Sequence, residues 1–408
     1  MIPRRSFLKA GFGVGLASAV ARVGLAAAPP PDTTFAQDFD ELWETLRDRY
    51  CFFDAKRTDW ARVRALYRPR ALAAESGEAF EALVGQLLGE LYDAHTHLTD
   101  PPDGARRWPL FDLLVERAGG DVRIAAVQPG SAAADVELAI GDIVTAVGGV
   151  PMDQLVRDLQ PKCLSRADPE ADSWAINSAV AGRRGQPRQL TVRSPGAVAR
   201  EVPLPLKQRP AAPNVEGREL PNGLGYIAIH TFADTGVVGG FDVALAKLRE
   251  SRGLILDVRQ NGGGDTAVAR PIMGRFITAP KPYATMRRRE AAGLSAPWTE
   301  SVAPRGPFTY TRPVVVLADH WSGSMAEGFP MGMRGIGRAT LVGTPMMGLG
   351  AAVFALRLDR TGVQAQYSAE PVYDVHGNAR WTLRPDVAVA DGGDILAAGV
   401  AALEAKIG

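Results

Sequence analysis

A serine stands where a strand-like run gives way to a helix-like one. Val314-Val315-Val316-Leu317-Ala318 leads through Asp319-His320-Trp321-Ser322-Gly323 to Ser324-Met325-Ala326-Glu327. At a helix start such a residue lies among unpaired N–H groups and the positive end of the dipole, surroundings that favour an anionic tetrahedral intermediate. The Met325 amide would lie beside it. Glu327, three residues on, makes the same text a capping box, and taken alone that is the simpler reading. A second junction, Leu254-Ile255-Leu256-Asp257-Val258-Arg259-Gln260-Asn261-Gly262-Gly263-Gly264, ends an apolar strand in three glycines. Glycine backbone can approach a ligand closely and present amides to an oxyanion, although such a run can equally be a tight turn. The five histidines include His95-Thr96-His97. Alternate strand residues share a face, so this pair could also grip a metal, but His230, His320 and His376 stand at no spacing that completes a ligand set.

These residues need elements to position them. From about Phe35 to His97 the apolar period is helical: Phe39, Leu42, Leu46 and Tyr50 recur at three- and four-residue spacing, as do Phe80, Leu83, Leu87 and Leu91. Asp59-Trp60 opens a shorter amphipathic stretch containing Val63, Leu66 and Tyr67, and Pro101-Pro102 marks a boundary. From Trp108 to about Leu206 the text turns to short strands, among them 122–127 and the run 138–147 that enters the Gly148-Gly149 turn. Residues 163–182 read as a helical insertion. From Leu220 onward strand and helix alternate, which implies a largely parallel sheet with covering helices. Its strands are expected over 224–229, 253–258, 314–318 and 339–342, and its helices near 239–249, 266–276 and 324–333.

Two resemblances follow from this text. Pro129-Gly130-Ser131-Ala132-Ala133, Gly141-Asp142-Ile143-Val144 and Val147-Gly148-Gly149-Val150-Pro151-Met152 resemble the PDZ family, whose modules take extended peptides by adding a strand to a sheet edge. The 163–182 insertion departs from the common PDZ pattern. Further on, Gly225-Tyr226-Ile227-Ala228-Ile229-His230-Thr231-Phe232, the two junctions and Arg384-Pro385-Asp386-Val387-Ala388-Val389 follow one another in the order of the tail-specific and tricorn-core serine peptidases. Leu42-Trp43-Glu44-Thr45-Leu46-Arg47-Asp48-Arg49-Tyr50, Asp59-Trp60 and Asp93-Ala94-His95-Thr96-His97-Leu98 are similar to the tricorn-core branch.

This resemblance implies an α/β fold with a crotonase-like (ClpP-like) catalytic core, Ser324 as nucleophile, and an oxyanion hole of the Gly263 and Met325 amides. The C-terminal processing branch activates its serine with a lysine in a Gly-Lys-Gly turn. Here Gly348-Leu349-Gly350 matches that turn, and leucine cannot accept a proton. The tricorn-core branch uses a histidine instead, and His95 matches it; imidazole suits the role because it titrates near neutrality. The glutamate expected to orient that histidine is replaced by Ala379. Glu370 is the nearest glutamate, with Asp374 behind it. The implied reaction is acyl transfer on polypeptides or their C-terminal tails, with no metal or organic cofactor. Leu349 and Ala379 also admit an inactive relative that only holds peptides.

The bulk composition agrees with a globular chain of two or three domains: 408 residues, 46% hydrophobic, 22% charged. A net charge of +1, from 46 basic and 45 acidic residues, lacks the basic field that nucleic acid would select. Arg4-Arg5 before the mildly apolar run from Ala10 to Ala28 resembles a twin-arginine export signal, implying a periplasmic or otherwise exported location. Arg22 argues against a membrane span there. Pro29-Pro30-Pro31 reads as a stiff linker. Cys51 and Cys163 could pair after export, but two buried thiols are the simpler case. The expected organisation is a signal over 1–28, a helical domain over 32–100, a PDZ-like domain over 106–208 and an α/β peptidase core over 214–408.

Overall fold

The computed structural model describes residues 31–208, 212–290 and 293–408. The twin-arginine motif and most of the proline linker lie outside the described residues. The chain opens with helices α1 (Pro31–Arg49), α2 (Trp60–Leu72) and α3 (Gly77–Gly89). Asp59 caps α2 by accepting the Arg62 amide, and Ser76 caps α3 by accepting that of Ala79. The helical period is realised as expected: Phe39, Leu42, Leu46 and Tyr50 are all buried, as are Phe80, Leu83, Leu87 and Leu91. Trp43 and Trp60 lock α1 to α2, each indole N–H donating to the other residue's carbonyl at 2.9 and 3.0 Å. This helical core is shared with the far end of the chain, because Ala365, Tyr367 and Ala369 pack into it. A two-residue strand β1 (His97–Leu98) follows the helices.

Next comes an antiparallel module: β2 (Leu113–Ala118), β3 (Asp121–Val127), β4 (Ile143–Val147), β5 (Val150–Pro151), α4 (Met152–Leu159), α5 (Pro169–Ala181), β6 (Arg188–Arg193) and β7 (Arg200–Leu204). Its sheet runs β2-β3-β4-β6-β7, with β5 beside β4. Inward residues alternate along the strands: Leu113 and Val115, Leu190 and Val192, Val202 and Leu204 are all buried. The insertion read at 163–182 becomes α5, whose Ala175, Ile176, Ala179 and Val180 enter the module's core.

The last part holds β8 (Val215–Leu220), β9 (Leu224–Ile229), α6 (Gly236–Lys247), β10 (Leu254–Asp257), α7 (Thr266–Met273), β11 (Lys281–Met286), β12 (Arg289–Glu290), β13 (Gly293–Leu294), β14 (Trp298–Val302), β15 (Val314–Ala318), α8 (Met325–Gly335), β16 (Thr340–Gly343), β17 (Ala351–Arg357), β18 (Gln364–Tyr373), β19 (Val387–Ala388) and α9 (Ile395–Ile407). The main sheet is ordered β19-β16-β15-β10-β9-β8, parallel except for β8. Because both of its faces are covered, the centre of the sheet, strands β9, β10 and β15, is buried throughout, whereas the edge strand β8 carries Glu216, Arg218 and Glu219. Val314, Val316 and Ala318 of β15 face Phe241, Met273 and Phe329, whereas Val315 and Leu317 face Ile395 and Leu403 of α9. A second sheet, β1-β18-β11-β14 with β17 on β18, was not anticipated from the sequence. It joins the helical region to the main sheet: His97 pairs with Gln366. Cys51 and Cys163 are both buried free thiols. Among the described residues no helix is long and apolar enough to cross a membrane.

Candidate active site

Adjacent parallel strands β10 and β15, with Asp257 beside Leu317, end on the same edge of the main sheet, where α/β folds place their ligand sites. The turns that follow are laced together. Asn261, fully buried, donates its side-chain amide to Ile229 O at 2.8 Å and accepts the Gly263 N–H at 2.8 Å, while its own carbonyl receives the Gly323 N–H at 2.9 Å. Asp319 accepts the Gln260 amide at 2.9 Å, and the Ser322 hydroxyl donates to Val258 O at 2.8 Å. Between Val314 and Met333, Ser324 is the one residue that is not buried.

Its backbone is forced. Ser324 holds φ 54 and ψ −115, whereas a conventional N-cap is extended. These angles are those of the first central residue in a type II′ turn, a position that costs a non-glycine residue about 1–3 kcal/mol. The Glu327 carboxylate does return to the Ser324 amide at 3.0 Å, as a capping box requires, and also accepts the Leu349 amide at 2.8 Å. Burial pushes the Glu327 carboxyl up to about 7, opposed by the charge of Arg380 and by the backbone donors. Gly263 packs against the serine so closely that an added Cβ would lie 2.7 Å from Ser324 Cβ and 2.9 Å from the Met325 nitrogen.

His95 reaches the same place from the other third of the chain. Asp93 accepts the His95 amide at 2.9 Å and the hydroxyls of Thr96 and Ser368 at 2.8 Å each. Gln366 donates to His95 O at 3.1 Å. His95 is 6% exposed, and burial lowers its pKa to about 4 despite the opposing charge of Asp93. Its Nδ1 is buried without a hydrogen-bond partner among the described residues. Together Ser324 and His95 line a cavity of about 620 Å³, with Gly262, Gly264, Trp108, Leu110, Phe111, Met347 and Leu349 in its walls.

Two site expectations need correction. Glu370 does not orient His95: Arg288 takes its Oε1, with the Nε donor at 2.7 Å, and the imidazole Nδ1 stays unpaired. Gly263 does not offer its amide to the cavity, because that N–H already closes an Asx turn onto Asn261. The amides of Gly264 and Met325 have no acceptor among the described residues. Ala379 bridges to Tyr373 and leads into Arg380, a buried guanidinium that donates to Leu349 O and Ala351 O. Asp374 is occupied by its own loop, accepting from His376 and Asn378. His97 is engaged at both ring nitrogens, by Leu98 O and by the Gln366 amide, so it does not join His95 as a ligand pair. His320 pairs with Asp391 at 2.7 Å in a separate cavity between the module and the main sheet.

The positioning residues were the ones the sequence reading passed over. Asp319 directly follows β15 and Asn261 lies in the turn four residues beyond the end of β10, places where an Asx side chain commonly ties a turn, so a local signal existed. Gln366 and Ser368 carried none, since their roles depend on pairing between β1 and β18.

Known proteins resemble this chain in sequence and in fold. The peptidase family S41 model matches residues 223–389, and the tricorn protease C1 domain model matches residues 31–89. Tricorn protease homolog 1 of Streptomyces coelicolor is 26% identical over 345 residues, covering 78% of this chain but 29% of that protein. The carboxy-terminal processing protease CtpB of Bacillus subtilis is 26% identical over 179 residues, 42% of this chain and 35% of that one. The chain therefore spans well under two thirds of either relative. Mature CPAF superposes with a TM-score of 0.60 at 15% identity, covering 90% of this chain and 95% of the other. The photosystem II D1 C-terminal processing protease gives 0.56 at 18% identity, covering 88% and 93%. At such identities these two likenesses speak to the fold.

Proposed function

Through residues 223–389 the chain belongs to peptidase family S41, and from that premise we propose that it is a serine endopeptidase acting on exported or tail-exposed polypeptides through Ser324. The observation that carries the proposal is a single one: a strained, solvent-reaching serine and a buried neutral imidazole, far apart in sequence, line the same cavity. In this reading a crotonase-like core and a PDZ-like module, with an export signal ahead of them, carry a nucleophile and a base for acyl transfer.

His95 takes the hydroxyl proton of Ser324 as Oγ attacks the peptide carbonyl carbon. The carbonyl oxygen becomes the oxyanion, held by the Met325 amide at the start of α8 and by the Gly264 amide. His95 then returns its proton to the departing amine, leaving an acyl-Ser324 ester. Water, deprotonated by the same imidazole, hydrolyses the ester and frees the enzyme. The base works as the second member of a dyad, its backbone fixed by Asp93 and Gln366. Leu349 stands near the serine as a wall, not as a proton acceptor. Retention of serine and histidine on one cavity favours turnover over a role in peptide holding alone. A fluorophosphonate probe tests this directly: the intact chain should be labelled covalently and Ser324→Ala should not. Labelling that survives Ser324→Ala would move the nucleophile elsewhere.

A further inference from the structure

The antiparallel module has two long sheet edges, β2 and β7. β7 carries Pro203, which has no N–H to donate to an added strand. β2 is thus the edge at which strand addition would work. At Val115 that edge is already occupied. Asn177 of α5, 6% exposed, accepts the Val115 N–H at 3.0 Å and donates to Val115 O at 2.9 Å. A side-chain amide here makes the donor and acceptor pair that a strand residue of an incoming peptide would make. Its second N–H goes to Ser173 O at 2.9 Å, so no polar group of Asn177 is left over.

The helix is held at several points. Arg117 of β2 forks onto Asp172 at 2.8 and 2.9 Å. Asp168 caps the N-terminus through the Glu170 amide, and its other oxygen accepts the Tyr92 hydroxyl at 2.7 Å. At the opposite end Arg107 donates to Ala181 O at 3.0 Å and Arg188 to Val180 O, cations placed where a helix terminus is negative. Ala175, Ile176, Ala179 and Val180 are at most 4% exposed, so lifting the helix would expose part of the module's core. The connection before α5 is anchored in the helical region, where Glu90 accepts the amides of Lys162 and Cys163 at 3.0 and 2.9 Å.

We infer that α5 is a resident substitute for a bound peptide strand, closing the β2 edge, so that the Ser324 cavity and not tail capture by this module selects substrate. The inference rests on the PDZ-like reading proposed above and narrows the polypeptide substrate class: a free C-terminus remote from the scissile bond contributes nothing. It also gives the insertion a task, since one segment ties the module to the helical region that carries His95.

Amide hydrogen exchange on the full chain bearing Ser324→Ala tests it without turnover. With a saturating decapeptide ending in a free apolar carboxyl residue, new protection is expected only around 93–97, 262–264 and 345–350, or nowhere. The same should hold for the C-terminally amidated peptide. Protection gained at 113–118, or faster exchange of 169–181 as the helix leaves, would overturn the inference. In the absence of peptide, Asn177→Leu should speed exchange of the Val115 amide at least about tenfold, one lost hydrogen bond's worth, while β4 and β6 stay as slow as before. Unchanged Val115 exchange would equally overturn it. Neither readout requires an active serine, so failure of fluorophosphonate labelling would sink the peptidase proposal and leave this result readable.

Discussion

The two halves of the candidate site are built by different means. Ser324 stands where two neighbouring parallel strands end, and its turn is tied by Asn261, Asp319 and Ser322 from the same pair of junctions. His95 hangs on a loop held by Gln366, 271 residues away in sequence, and by Ser368 through Asp93. The serine's backbone and surroundings are fully determined. The histidine's backbone is too, yet its ring keeps one buried nitrogen without a partner among the described residues. A nucleophile placed by strand ends needs little help; a base oriented by its backbone and by burial has the charge of Asp93 nearby but, among the described residues, no acceptor on its ring Nδ1.

Breaking either half should expose that difference. Ser324→Ala is expected to lower kcat/KM by about 10⁶-fold, the loss typical of a removed serine nucleophile. His95→Ala is expected to cost less, about 10⁴-fold, the upper range for general base catalysis. Steady-state cleavage of a fluorogenic peptide, paired with probe labelling rates, measures both. Equal losses would mean that the imidazole is coupled to the hydroxyl as tightly as in a full triad, against the asymmetry drawn here. Gly263→Ala probes the serine half without touching the hydroxyl. At φ 106 the new Cβ would meet Ser324 Cβ at 2.7 Å, and displacing the nucleophile should cost about 10²-fold in kcat/KM. A circular-dichroism melt would show whether the fold persists; native-like activity would show that Ser324 is not held by this contact.

The same asymmetry explains what could be read from the chain beforehand. The β10 and β15 strands, their turns and the helices beyond them are local patterns, and their apolar runs and glycines announce both the parallel sheet and Ser324. The three helices were equally legible from apolar spacing. The antiparallel sheet of β1, β11, β14, β17 and β18 was not, because a two-residue strand such as His97–Leu98 has no period and its pairing is set by distant packing. Hence His95 is legible only through a motif resemblance, whereas nothing but nearness in sequence to a missing glutamate points to Glu370. Its partner Arg288 lies 82 residues away, beyond any local rule.

The pH profile sharpens the account of the base. An imidazole at the ordinary value of about 6.5 would be roughly nine-tenths protonated at pH 5.5 and the rate down about tenfold. Burial holds His95 at about 4, so it stays neutral there and kcat/KM should be nearly flat from pH 7 to about 5. Stability runs the other way. Between about 6.5 and 4 the unfolded chain binds a proton that native His95 refuses, so this group lowers stability as pH falls through that window. A kcat/KM profile with an acidic limb near 6.5 would show that the ring is solvated or paired in the working enzyme.

The smallest effect is expected at Glu370, and its smallness is informative. Glu370→Gln keeps the shape and an acceptor oxygen but removes the charge that Arg288 meets. Because the Arg288 side chain is 58% exposed, solvent screens the pair, and the stability change should stay within about 1 kcal/mol. Cleavage should change by less than about twofold, since the carboxylate lies outside the cavity wall and leaves His95 Nδ1 untouched. A true third member would behave otherwise: replacing a triad carboxylate by its amide costs about 10⁴-fold through the wrong imidazole tautomer. A loss of that size in Glu370→Gln, with the melting temperature unchanged, would mean that substrate draws Glu370 away from Arg288 and onto His95. The two halves would then be equally well supported in the working state.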